Sequence, residues 1–331
     1  MTWPIIGHDW AVAQLRRSLA HGREAHAYLF CGPPQIGKTL LAVTLAQALN
    51  CSRPDPPCGR CPSCRKIARW VHPDVRLIEA QGAGQTIRID QVRTLQREAS
   101  LLPYEGRRRV FILRQFDTAT VEAANSLLKT LEEPPSHVVL ILTAVDARTL
   151  PTTILSRCRR LDLRPVALEV VESALLEQGV PPERARLLAR LSGGRVGWAF
   201  DAWQQADVLQ QREQDLDRLR ELLAADRVTR FAFAERAGRD LAACRRQLAT
   251  WSGWWRDLLL LTVGAGEHLV NLDRLGELRA LQERTTPGQV WTVLDALRTT
   301  IARLDANVNA RLALENLMLK LPRWTPGAEG Y

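Results

Sequence analysis

Residues 27–39 read AYLFCGPPQIGKT: a short apolar run ending in glycine, a tight loop, then a lysine–threonine pair. The pair opens KTLLAVTLAQALNC (38–51), whose apolar residues recur at helical spacing. A loop of the pattern G-x-x-x-x-G-K-[ST] between a strand and a helix is a cradle for phosphate. Gly32 and Gly37 admit the backbone angles that turn N–H groups toward phosphate oxygens. Lys38 would reach the β- and γ-phosphates, and Thr39 would ligate magnesium at the positive end of the helix. Pro33, Pro34, Gln35 and Ile36 complete the loop, and Gln35 stands where many such loops carry a further glycine. The competing reading is a plain glycine turn before a helix.

Such a loop belongs to a parallel sheet, and the first half of the chain supplies one. DVRLIEA (74–80), RRVFIL (108–113) and HVVLILTA (137–144) read as strands. RIDQVRTLQREASLL (88–102) and VEAANSLLKTLEEPP (121–135) read as helices, the second stopped by its prolines. Strands alternating with helices predict an α/β parallel sheet covered on both faces. From about Pro165 onward strand signals almost vanish and long helical patterns take over. Seven of the ten tryptophans lie at or after residue 198, at spacings that suit helix contacts better than a cofactor site. A length of 331 residues suits two or three domains. No apolar run reaches the roughly 18 residues of a membrane span. The opening MTWPIIGHDW lacks a basic region followed by an apolar stretch, so a cytoplasmic protein with no membrane partner is expected.

Four of the seven cysteines, Cys51, Cys58, Cys61 and Cys64, are spaced C-x6-C-x2-C-x2-C within a Pro/Gly-rich insertion. Clustering in a chain without a secretory signal argues for metal over disulfides. Four thiolates can surround one zinc ion tetrahedrally, leaving no open position for catalysis, so the zinc would be structural. An iron–sulfur cluster and free thiols are the alternatives.

A nucleotide hydrolase with such a loop needs a second strand ending in carboxylates. VFILRQFDT (110–118) has the strand, but Arg114 and Gln115 follow it, and an acid comes only at Asp117. A cation about 5 Å from a bound Mg²⁺ would cost roughly 7 kcal/mol at an effective dielectric near 20, and an amide cannot act as a carboxylate base. Further on, TILSRC (153–158) places Arg157 after a strand, where an arginine can reach a neighbour's phosphates; a solvated or salt-bridged side chain is the bland reading. The net charge of +9, with only four lysines among 45 basic residues, fits nucleic-acid contact or simple arginine-rich codon usage.

Together, HAYLFCGPPQIGKTLLA, the four-cysteine insertion, SLLKTLEEPP and LPTTILSRC resemble the bacterial clamp loader of DNA polymerase III, within the AAA+ superfamily. NVNARLALENLML (307–319) resembles the last helix of that family's collar. The resemblance implies an AAA+ P-loop core with a zinc module (1–165, module 51–64), a small helical lid (166–204), an all-α oligomerisation collar (205–324) and a disordered tail (325–331). It implies a pentameric ring with gamma/tau and delta subunits, acting on the sliding clamp and primer-template DNA. Arg157 becomes a trans-acting arginine finger flanked by Ser156 and Cys158. Gamma/tau subunits carry an Asp–Glu pair where Arg114 and Gln115 stand, and their nucleotide-sensing lid arginine falls at Gly197, with Arg195 nearby. Both departures, and a chain shorter than gamma/tau, fit delta-prime, the non-hydrolysing partner, and the loop would then hold ATP or ADP as a structural ligand or sit empty. The rival expectations are a gamma/tau-like ATPase with a rearranged metal site and a stand-alone zinc-containing DNA-binding protein.

Overall fold

The computed structural model describes residues 3–81, 86–306 and 308–324. Five strands form one parallel sheet: β1 (Ala27–Cys31), β2 (Val75–Ile78), β3 (Arg109–Leu113), β4 (Val138–Ala144) and β5 (Arg159–Asp162), in the order β2-β3-β4-β1-β5. β1 and β4 are buried at every residue, as central strands of a two-sided sheet must be. β5 corrects the sequence reading, which ended the strands at 144. It is four residues long, sits at the sheet edge and reads RRLD, with only Leu161 and Leu163 beyond it turned inward. Charge is tolerated at an edge, and that hid the strand from a search for apolar runs.

Before and between the strands lie α1 (Asp9–Ala20), α2 (Lys38–Asn50), α3 (Pro62–Ala68), α4 (Ile89–Ala99), α5 (Val121–Glu132) and α6 (Thr152–Leu155). One sheet face, built of Leu29, Phe111, Leu113, Leu140 and Leu142, is covered by Val92 and Leu95 of α4 and Leu127 and Leu131 of α5. The residues in between, Tyr28, Phe30, Val110, Ile112 and Ile141, are buried on the other face, where α2 packs on β1, β3 and β4. α5 begins with Thr120 accepting the Ala123 N–H and ends before Pro134, as its sequence predicts.

The remaining helices are α7 (Leu168–Glu177), α8 (Pro182–Ser192), α9 (Val196–Gln204), α10 (Ala206–Ala224), α11 (Arg227–Ala237), α12 (Leu241–Thr262), α13 (Leu275–Gln282), α14 (Pro287–Asp305) and α15 (Ala310–Lys320). Backbone contacts divide the chain into two units: Met1–Gln178 with Ser192–Trp198, and Gly179–Leu191 with Ala199–Tyr331. The core of the second unit is tryptophan-rich. Trp251 and Trp255 are fully buried, Trp254 meets Trp255 edge-on at 5.4 Å, and Trp324 packs on Trp255 at 5.3 Å. This bears out the core assignment for those tryptophans; Trp291 is the exception, 63 % exposed on α14. Two buried polar side chains lock the same unit. Asp257 accepts the N–H groups of Val270 and Asn271 at 2.8 and 2.6 Å. Arg230 donates to five backbone carbonyls: Leu222 and Leu223 at the end of α10, and Met318, Leu321 and Pro322 at the end of α15. Leu222, Leu223 and Met318 lie in last turns, where carbonyls lack the donor of a further turn, so one guanidinium helps to cap two helices. No helix among the described residues is long and apolar enough to cross a membrane. The tail 325–331 lies outside the described residues.

Candidate functional site

Gly32 follows β1, and its N–H donates to the carbonyls of Ala144 and Val145 at 3.2 Å, fastening the loop to the end of β4. Its φ is +147°, and a Cβ there would lie 2.3 Å from the Leu163 carbonyl oxygen. Gly37 has φ +107° and opens α2. Both glycines are therefore required by geometry. Gly32→Ala is expected to destabilise the chain by roughly 2–4 kcal/mol, through strain plus a clash with backbone, measured by urea unfolding. A change in midpoint equivalent to less than about 0.5 kcal/mol would refute that account. Gln35 takes the left-handed angle in place of the usual third glycine, with φ +60°. Its carbonyl accepts the Gly197 N–H at 2.8 Å, and that of Ile36 accepts from His8 Nε2 at 3.1 Å. Burial lowers the pKa of His8, which suits a neutral ring donating this bond.

Lys38 is almost fully buried, and its ammonium donates to the Gly32 and Pro33 carbonyls at 2.5 and 2.7 Å. Burial lowers its pKa, and the nearby Asp117 works against that shift. A cavity of about 340 Å³ is lined by Pro34, Gln35, Gly37, Lys38 and Thr39 from the loop, and by Arg114, Gln115, Thr143 and Gly197. That is within the range of small-ligand pockets, at the carboxyl ends of parallel strands where such sheets bind ligands.

The fold thus brings the loop and the Arg114–Gln115 pair together, because β3 and β1 flank β4 on opposite sides. Arg114 turns to Glu79, with Nη2 2.6 Å from Oε2. Glu79 follows Ile78, which pairs with Leu113 in register, so Glu79 and Arg114 emerge side by side. The cation is thereby partly neutralised. Gln115 adopts a left-handed angle, φ +55°, and its N–H donates to Thr143 Oγ1 at 3.0 Å. Asp117 stands on a short 3₁₀ turn, and its carboxylate accepts the Val145 N–H at 3.0 Å. Thr143 and Glu79 were missed in the sequence. Thr143 sits within an apolar strand pattern, and only its place near the end of β4 distinguishes it.

Ser156, Arg157 and Cys158 lie between α6 and β5 and are absent from the lining of that cavity. Arg157 is about one-third exposed; its Nη2 is 2.7 Å from Glu132 Oε1, and its Nη1 donates to Thr153 O at 3.0 Å and Ser156 Oγ at 3.2 Å. Cys158 packs against the core of the sheet, and burial pushes its thiol up to about 12. It anchors the turn and is no nucleophile at neutral pH.

The four clustered cysteines come from the end of α2 (Cys51), a loop (Cys58), the N-cap of α3 (Cys61) and its first turn (Cys64). Their sulfurs all lie within 4.8 Å of one another. Bonds of about 2.3 Å to a single tetrahedral ion put sulfurs about 3.8 Å apart, so the donor set fits one metal ion. Backbone N–H groups of Arg60 and Cys61 bring the Cys58 thiol down to about 6, favouring the thiolate that binds metal, whereas burial pushes Cys64 up. Gln47 of α2 donates to the Cys64 carbonyl at 2.8 Å, tying the module to the helix that starts at the phosphate loop.

Residues 7–167 match the family model described as DNA polymerase III, delta subunit. Over 321 residues, 93% of this chain and 94% of its relative, the chain is 30% identical to DNA polymerase III subunit delta' of Bacillus subtilis. The chain belongs to the delta-prime family of DNA polymerase III clamp-loader subunits. It is also 36% identical to the delta' subunit of Pseudomonas aeruginosa over 65% of this chain and 67% of that protein. The tau subunit of Escherichia coli is 36% identical across 61% of this chain, but the match spans only 32% of tau.

Proposed function

We propose that this chain is a non-hydrolysing member of the clamp-loader ring, which places a sliding clamp on primer-template DNA. The observation that carries the reading is the pairing of an intact phosphate loop with Arg114 and Gln115 in the same cavity. Groups that could hold phosphate remain: Lys38, Thr39 and the loop backbone. The carboxylates that would hold magnesium and activate water are replaced by a cation and an amide. Any ATP or ADP taken up would therefore be held and not turned over. Gly197, where a sensing arginine would stand, offers only its backbone N–H, already given to Gln35.

In this reading residues 1–165 are the AAA+ core, 166–204 the lid and 205–324 the collar, through which the subunit joins gamma/tau and delta in a cytoplasmic ring of five. Arg157, exposed on a turn anchored by Cys158, completes the ATP site of a neighbouring subunit. The four cysteines hold one structural zinc; sulfurs within 4.8 Å of one another suit a single tetrahedral ion better than a multi-iron cluster. Contact with DNA comes through the assembled complex, so the isolated chain should bind it weakly and in a salt-sensitive way.

Two measurements test the proposal. The purified chain with Mg-ATP is expected to show no turnover above background; turnover abolished by Lys38→Ala would make it a gamma/tau-like ATPase instead. In a loader reconstituted with its ATPase subunits, Arg157→Ala should slow the neighbouring site by about 10³-fold or more, as loss of an arginine finger does. Total ATP turnover should fall by that site's share, and clamp loading should fall with it. Unchanged rates would remove the finger assignment.

A further inference from the structure

Two motifs stand apart in the sequence, SLLKTLEEPP and TILSRC, and folding joins them through one ion pair. Glu132 is the last residue of α5, and its carboxylate holds the Arg157 guanidinium at 2.7 Å. The helix that carries it is fixed, since Leu127 and Leu131 are buried against the sheet. A carboxylate at a helix C-terminus faces the negative end of the helix dipole, so it gains from a cation beside it. The guanidinium is held at three points: Glu132, the Thr153 carbonyl and the Ser156 hydroxyl, the last two at 3.0 and 3.2 Å.

A neighbouring subunit's phosphate and the Glu132 carboxylate are chemically alike, since both are oxyanions that a guanidinium can grip bidentately. They compete for the same donors. While Glu132 is in contact, the pair carries almost no net charge, and an arginine so paired offers little stabilisation to a transferring phosphoryl group. We infer that Glu132 is a positioning residue that holds Arg157 back from the neighbouring ATP site and gives it up only when that site's phosphates compete for it. This inference rests on the reading of Arg157 as a trans-acting finger. Both side chains are partly exposed, Glu132 by about half, so the pair is of the weak, solvent-screened kind. A weak hold suits a device that must release on assembly.

The test uses the reconstituted loader, with ATP turnover measured with and without clamp and primer-template DNA. Glu132→Gln keeps the shape and removes the charge. It is expected to raise turnover without clamp and DNA by about 2–5-fold, the range set by a partly exposed ion pair. Turnover with clamp and DNA should stay within about two-fold, because the phosphates already hold the arginine there. A purely structural role for Glu132 would not alter the ratio of the two rates. Glu132→Ala should act in the same direction, and Glu132→Gln combined with Arg157→Ala should match Arg157→Ala alone. If Arg157→Ala lowers turnover but Glu132→Gln leaves the ratio unchanged or lowers the unstimulated rate, the restraint is refuted and the finger stands. If Arg157→Ala has no effect, the finger reading fails and the restraint falls with it.

Discussion

Cys64→Ser is expected to leave the purified chain without tightly bound zinc and to lower its melting temperature by at least about 6 °C. Cys64 is the innermost of the four sulfurs and sits on α3, whose first turn is capped by the neighbouring ligand Cys61. Loss of one thiolate opens the coordination shell and leaves three buried or half-buried thiols without a common partner. In small zinc modules metal binding supplies on the order of 10 kcal/mol of folding energy. Here part of the module is held by Gln47 and by Trp3, whose indole N–H donates to the Pro56 carbonyl at 3.3 Å. A loss of about 3 kcal/mol is a conservative expectation, and at about 2–4 °C per kcal/mol it gives the stated shift. Metal content by elemental analysis and melting by calorimetry are the measurements. Wild-type chain that carries iron with acid-labile sulfide, or no metal when grown with zinc, would overturn the assignment.

Arg230→Ala should destabilise the helical unit by roughly 3–5 kcal/mol: hydrogen bonds to a charged group contribute about 1.5–3 kcal/mol each, and relief of the buried cation's desolvation offsets part of their sum. The expected drop in melting temperature is about 6–20 °C. Five carbonyls at two helix ends lose the guanidinium at once; those of Leu222 and Leu223 keep the Ala225 and Trp324 N–H groups, and the site is too deeply buried for water to replace the side chain freely. Arg230→Lys should recover only part of the loss, since a single ammonium cannot span the five acceptors that the flat guanidinium fork reaches. A shift below about 2 °C for the alanine variant would show that the two helix ends are held by packing alone.

Much of the first unit was legible because its signals are local. A strand, a glycine loop and a largely buried helix follow one another from 27 to 50, and each element announces itself within a few residues. The cysteine spacing was equally plain. Less visible were the polar contacts made across long stretches of chain. Asp74 accepts the N–H groups of Tyr104, Glu105 and Gly106, and Asn50 accepts those of Arg107 and Arg108. Together they shape the approach to β3, yet nothing near either residue signals it. The Arg114–Glu79 and Arg157–Glu132 pairs were hidden for the same reason. Each depends on which strands or helix ends lie side by side, and sheet order is a property of the whole unit.

Gly197 also bears on evolutionary history. Under the reading proposed here, a lineage regaining hydrolysis would need acids at 114 and 115 and an arginine at 197. The first two positions are open to side chains. At 197 a Cβ of any kind would lie 2.8 Å from the Gln35 carbonyl oxygen, so the arginine could enter only after the phosphate loop itself had shifted. The order of changes then matters: the third substitution is harmful until the backbone beneath it moves, and the backbone has no reason to move until the third substitution is present. If the subunit is non-hydrolysing as proposed, this backbone contact would act as a ratchet, since a side chain at 197 requires the phosphate loop to shift first.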